Sequence, residues 1–318
     1  MNVNRVSAEE YENIVRDAGV VYNLAQFNEL NKYKVDNVEY LVVSKGKSPR
    51  FAVCLGIENN EVRYPFSAPF ALPVETKRTK NKLSSSVDNC QDAVKVIEEY
   101  CIQQSYKSLQ YIFPPTFYSE HMISAWINAL YNLGYYLANI DINFSIELNE
   151  SIIDNYMSTI SHNARNTLKK ALSAGLTILC CSNDEEIARA YKIIEENKLA
   201  KRYPLHMSYT QVCDTISFVP CDVFLVENNG EDVAAAFVYH VTETIVQVIY
   251  WGDKPGFSNL RPMNYLAYQL IQYYSKKGIK HIDIGPSTEN SIPNYGLCDF
   301  KESIGCKRSL KFTMKKIL

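Results

Sequence analysis

Apolar positions recur along the chain in two spacings, alternate residues and every third or fourth residue, and their order sketches the elements. Ala8 to Ala18 and Leu24 to Tyr33 carry helical spacing. Tyr40 to Val43, Phe51 to Ile57 and Glu61 to Phe66 read as strands, with Asn59-Asn60 turning a hairpin. Ser67 to Asp88, rich in Pro, Ser, Thr and Lys, reads as a long surface loop or lid. A helix from about Gln91 to Gln104, a strand Leu109 to Phe113, a helix Ser119 to Leu133 ended by Gly134, and a strand to about Leu148 complete the first half.

The second half opens on a helix with Ser161 or Asn163 as its cap, the stripe Ala164, Leu168, Ala171 and Leu172, and Gly175 past its end. A strand Leu176 to Cys181 and a helix Asp184 to Lys198 follow, with Ile187, Tyr191 and Ile194 facing inward. After the loop around Tyr203-Pro204-Leu205 come three strands, Val223 to Glu227, Val233 to His240 and Thr244 to Trp251, turned at Asn229-Gly230 and Thr242-Glu243. Pro262 begins a helix that Gly278 stops, and the strand Lys280 to Ile284 must run parallel to an earlier one because a helix separates them. The order of the first half thus repeats in the second, as two tandem copies of one α+β unit joined near Asn149.

Composition narrows the class. With 318 residues, 47% of them hydrophobic and 21% charged, the chain can bury real cores. A formal net charge of -2 gives no general pull toward DNA or anionic membrane, so any phosphate binding must be local. Met1 to Glu12 is polar and acidic, no apolar run spans a bilayer, and a cytoplasmic location is the expectation. Nine cysteines without a CxxC pair argue for reduced thiols. His162, His206, His240 and His281 have no metal-ligand spacing, so no metal is expected.

Two stretches carry the chemistry: Ser161-His162-Asn163-Ala164-Arg165-Asn166-Thr167-Leu168-Lys169-Lys170-Ala171, and Asp283-Ile284-Gly285 followed by Phe300-Lys301-Glu302-Ser303-Ile304-Gly305. In this order the second half resembles the FemABX family over roughly 155–310. In the first half Tyr64-Pro65-Phe66-Ser67-Ala68-Pro69 is the most suggestive piece. The resemblance implies two tandem GNAT-like (acyl-CoA N-acyltransferase) domains of α+β class with mixed central sheets, 1–148 and 149–318, the second carrying the main site. It implies an acyltransferase or aminoacyltransferase acting on an amine of a cell-envelope, peptidoglycan or polysaccharide precursor. The donor stays open between acetyl-CoA or another acyl-CoA thioester and an aminoacyl-tRNA. A binding module for a nucleotide-linked sugar or peptide, without catalysis, is the other reading.

Acyl transfer to an amine needs a held donor carbonyl, a donor for the developing oxyanion and an amine that can lose its proton. The resemblance places Lys301 near the donor carbonyl as a cation; the plain alternative is a solvated lysine on a short helix. Asp283 is the candidate base or amine-orienting group, or merely caps the loop after it. Tyr250, Trp251 and Gly285 fall near the reacting atoms if the central parallel strands splay there. Asn264, Asn294 and Tyr295 are candidate loop contacts. Arg165 and Lys169, four apart on one helix face, fit an anion or a solvated surface. Conventional acetyl-CoA enzymes of this type place a glycine-rich turn before the helix; this chain has Asn259-Leu260-Arg261-Pro262-Met263-Asn264, so a pyrophosphate would be held differently or not at all.

Overall fold

The computed structural model describes residues 1–16, 20–76 and 83–318. The chain forms two compact units, and neither is a single stretch of sequence. Unit one is Met1–Ile142 with Thr288–Ile292 and Ser309–Leu318, and unit two is Asn143–Ser287 with Pro293–Arg308.

In unit one, Ser7 opens the helix Ala8–Val15 through a capping box with Glu10, because serine and glutamate satisfy each other's exposed amides there. The end expected at Ala18 lies outside the described residues. Strands Asn37–Lys45, Ser48–Glu58 and Glu61–Tyr64 form the antiparallel meander. Asn59 and Asn60 both take positive φ, 54° and 62°, as the tight turn requires. The helix Leu83–Gln103 starts eight residues earlier than the periodicity suggested and carries the chain to Ser108–Ile112, parallel to Glu61–Tyr64. The anticipated loop from Ser67 to Asp88 is therefore shorter. It contains a strand, Val74–Glu75, paired with Phe51 and Ala52, and its residues 77–82 lie outside the described set.

Two strands of unit one come from the chain ends. Asn2–Val6 adds to the meander edge, and Thr313–Ile317 of the last strand pairs with Ser108–Ile112. Met1 to Glu12 reads as a polar, acidic stretch, and the strand Asn2–Val6 within it was not expected. The core packs Trp126 against Phe51 and Tyr111, all buried.

Unit two repeats the order. Cys221–Asn228, Glu231–His240 and Ile245–Asp253 form an antiparallel meander, Leu176–Cys180 extends its outer side, and the helix Pro262–Ser275 leads to His281–Pro286, parallel to Ile245–Asp253. On its other side His281–Pro286 pairs with residues 143–147. Side-chain alternation in the sheet divides the core. Ala235 and Phe237 meet the helix Asp184–Lys201, while Ala234, Ala236 and Val238 pack with Leu266, Leu270 and Ile271 of the helix Pro262–Ser275. Ser161 is the cap of the helix His162–Leu172, its hydroxyl accepting from the Ala164 amide. The helices Glu150–Thr159 and Tyr209–Ile216 were not foreseen. No described helix is long and apolar enough to cross a membrane.

Candidate functional site

The parallel strands of unit two pair through only three positions, Ile245 with His281, Val246 with Ile282 and Gln247 with Asp283, and then part. Two local features separate them. Opposite Phe237 and Val238 the register slips past Ile249, a bulge that puts Ile249 and Tyr250 together on the face of the helix Asp184–Lys201. On the partner strand the register against residues 143–147 slips between Asp283 and Gly285, and Gly285 takes φ 76°, a left-handed conformation that glycine adopts without strain.

A cleft of about 450 Å³ opens at this end of the sheet. Trp251, Gly252 and Asp253 line it from the meander, Pro262, Met263 and Asn264 from the start of the crossover helix, and Asn294 and Phe300 from the helix Tyr295–Ser303. Trp251 and Phe300 meet edge to face with centroids 5.8 Å apart. Asn294 caps its helix, accepting from the Leu297 amide at 3.1 Å, and donates to the Tyr203 hydroxyl at 2.9 Å.

Asp283, Gly285 and Lys301 come together in a second group, none of which lines the cleft. Asp283 is fully buried; one carboxylate oxygen accepts from Asn143 at 2.7 Å and from the Gly285 amide at 2.9 Å, the other from Gln247 at 2.9 Å. Lys301 is buried too, and its ammonium donates to the carbonyls of Ile284, Gly285 and Pro286 at 3.1, 2.9 and 3.0 Å. An ammonium has three N–H donors, so all are engaged. Gly285 is thus held by its amide on Asp283 and by its carbonyl on Lys301. Burial lowers the Lys301 pKa from 10.5 to about 8, against the opposing pull of Cys306, Asp283 and Cys298. Lys301 is therefore no solvated lysine on a short helix.

The remaining sequence candidates scatter. Tyr250 faces the opposite helix layer, where burial pushes its hydroxyl up to about 12. Tyr295 is 74% exposed and absent from the cleft lining. Arg165 and Lys169 sit on the helix His162–Leu172, outside the lining; Arg165 donates to the Ile160 carbonyl at 3.5 Å. Cys298 touches the Ser287 carbonyl at 3.8 Å. His240 pairs with Asp222 at 2.9 Å, and no metal-binding group of His, Cys, Asp and Glu occurs among the described residues.

The sequence reading did not single out Asn197, Lys198, Lys201 and Arg261, which all line the cleft. Asn197, Lys198 and Lys201 sit on the last turns of the helix Asp184–Lys201, of which only Lys201 lies past the expected end at Lys198, and the αL residue Arg202 (φ 56°) stops it. Asn197 donates to the Asp253 carbonyl at 2.7 Å and its carboxylate at 3.0 Å, and Lys201 lies 3.3 Å from the same carboxylate.

No protein-family model matches the sequence, and no curated protein matches it significantly. Among solved structures, FemX aligns over 100% of this chain and 98% of its own with a TM-score of 0.71 at 12% identity. The chain has the FemX fold. L-PGS from Bacillus licheniformis aligns over 98% of this chain and 92% of its own, with a TM-score of 0.62 at 13% identity. The C-terminal domain of a protein from Agrobacterium fabrum described as a lysylphosphatidylglycerol synthetase covers 97% of this chain and 91% of its own, with a TM-score of 0.61 at 11% identity. The resemblance to FemABX proteins carried by the Asp283-Ile284-Gly285 and Phe300-Lys301 stretches thus holds at the level of fold.

Proposed function

We propose that the protein is an acyltransferase or aminoacyltransferase that moves an acyl group from an activated donor to an amine on a cell-envelope or polysaccharide precursor. In this reading the two units are tandem GNAT-like copies, the main change from one to the other falling at Ile142–Asn143, and the second carries the reaction. The observation that carries the proposal is the parting of the parallel strands after Gln247 and Asp283, with a cleft opening beside Trp251 and the crossover helix. A donor thioester or ester placed there meets the edge of Ile245–Asp253 freed from parallel pairing beyond Gln247, which can hold its carbonyl still. The amine nitrogen attacks that carbonyl carbon, a tetrahedral intermediate forms, and the carbon–sulfur or carbon–oxygen bond breaks as the proton lost by the nitrogen passes to the departing sulfur or oxygen, giving an amide and a free thiol or alcohol. Names among the structural neighbours, FemX and lysylphosphatidylglycerol synthetase, support transfer to an envelope component.

Within this proposal Lys301 and Asp283 are positioning residues, since each acts through Gly285. Trp251, Asn264 and Asn294 are the groups that touch substrate. Asp253 is the carboxylate on the cleft wall and orients the incoming amine.

The buried, engaged state of Lys301 and Asp283 favours one other reading, a binding module for a nucleotide-linked sugar or peptide. A transfer assay separates the two. Purified protein is given labelled acyl-CoA or aminoacyl-tRNA with amino-sugar and peptidoglycan-precursor acceptors. Label should reach the acceptor, and Asn294→Ala should lower kcat/KM by about tenfold or more, the scale of a lost substrate hydrogen bond. Tight binding of a precursor with no transfer from any donor would establish the binding module instead.

A further inference from the structure

The cleft carries three cationic side chains, and two have no carboxylate within 4 Å among the described residues. Lys201 shares Asp253, but Lys198 and Arg261 form no ion pair. Lys198 is half-buried, with its ammonium 5.7 Å from the Tyr203 ring centre, and both burial and the charge of Lys201 lower its pKa. Crowding like charges in a cleft costs free energy in the empty protein, which an anion bound there would relieve.

The backbone offers little to such an anion. Pro262, first residue of the crossover helix, has no N–H, and the amides of Asn264 and Tyr265 both donate to the Arg261 carbonyl, at 3.1 and 3.2 Å. A nest of free amides at this helix start is therefore lacking, and anion recognition must come from side chains. Arg261 is suited to it: its αL conformation (φ 57°) fixes the turn just outside the helix, and the side chain is exposed at the cleft. Trp251, Phe300 and Tyr203 supply aromatic wall beside the cations, the combination that holds a nucleoside next to its phosphate. Asp253 does not cancel the field, because Asn197 and Lys201 already compensate it.

We propose that Lys198 and Arg261, with Lys201 at the margin, form a side-chain clamp for a nucleoside phosphate ester carried by the substrate of this cleft. The proposal rests on reading the cleft as the donor site. Two donors share that chemistry, coenzyme A thioesters and the adenosine end of aminoacyl-tRNA.

Binding titrations without turnover test it. Free coenzyme A and uncharged tRNA are titrated separately at two salt concentrations, following the fluorescence of Trp251 on the cleft wall. One of them should bind, with affinity falling as salt rises. Lys198→Gln and Arg261→Gln should each weaken binding by about tenfold and flatten the salt dependence, as loss of one charge-assisted contact requires. Lys192→Gln, the same charge change on an outward turn of the same helix, should leave affinity unaltered, and equal melting temperatures exclude misfolding. Which ligand responds identifies the source of the phosphate. Unchanged affinity in both cleft variants, or no binding of either ligand by the wild type at millimolar concentration, would overturn the clamp. Clamp-dependent binding without any transfer would sink the transferase reading alone, and transfer with unchanged affinity in both cleft variants the clamp alone.

Discussion

Lys301 shows how a side chain's setting changes its chemistry. A lysine whose three donors meet three carbonyls in a buried site sits where its charge is expensive, and its pKa falls to about 8. The unfolded chain keeps the ordinary 10.5, so between those values the unfolded state binds more protons and the group's contribution to stability rises with pH. Wild type should therefore gain stability relative to Lys301→Met by roughly 3 kcal/mol from below pH 8 to above pH 10.5. Paired urea titrations across that range check it; a flat difference would mean the ammonium is solvated. Two glycines give a second contrast. A Cβ on Gly285 would meet nothing within 4 Å, so Gly285→Ala should cost only the strain of its φ, about 1 kcal/mol. A Cβ on Gly252 would stand 2.6 Å from Asn197, so Gly252→Ala should cost more, about 2 kcal/mol, and displace Asn197 from Asp253. Thermal melting of both variants ranks them.

At the scale of elements, caps and turns were the most legible features, because their physics is local. Ser161, Asn59-Asn60, Pro262 and Gly278 all sit where the sequence placed them. Ser161→Ala should cost about 1 kcal/mol, read as a lower denaturation midpoint with unchanged slope. Faces were less legible. Trp251 and Tyr250 separate because of strand alternation, while the bulge at Ile249 decides which of them reaches the cleft. No local signal marks a bulge whose cause is the pairing of two strands. Lys198 and Arg261 escaped notice for a like reason: each is an ordinary cation at a helix end until the fold brings those ends to one cleft.

For the whole molecule, the units' discontinuity has a consequence for truncation. The last strand pairs Thr313 to Ile317 with Ser108–Ile112, Met314 is buried in unit one's core, and Lys316 reaches Glu98 at 2.9 Å. Deleting residues 309–318 should thus loosen a unit most of whose strands lie in Met1–Ile142, exposing amides of Ser108–Ile112 to hydrogen exchange while those of Glu231–His240 stay protected. Equal protection of both strands before and after deletion would contradict that assignment.

By itself the sequence determined most of the element order, the repeated meander and crossover, and the parallel strand after Pro262, because periodicity and turn chemistry act locally; it was the family resemblance, not spacing, that drew Asp283, Gly285 and Lys301 to one site. Only the tertiary structure decided that Lys301 and Asp283 are buried and grip one glycine, that the last strand serves unit one, and that Lys198, Arg261, Trp251 and Asn294 share a cleft. These outcomes depend on which strands pair and where the register slips, and pairing energy is set by distant partners that no local pattern encodes.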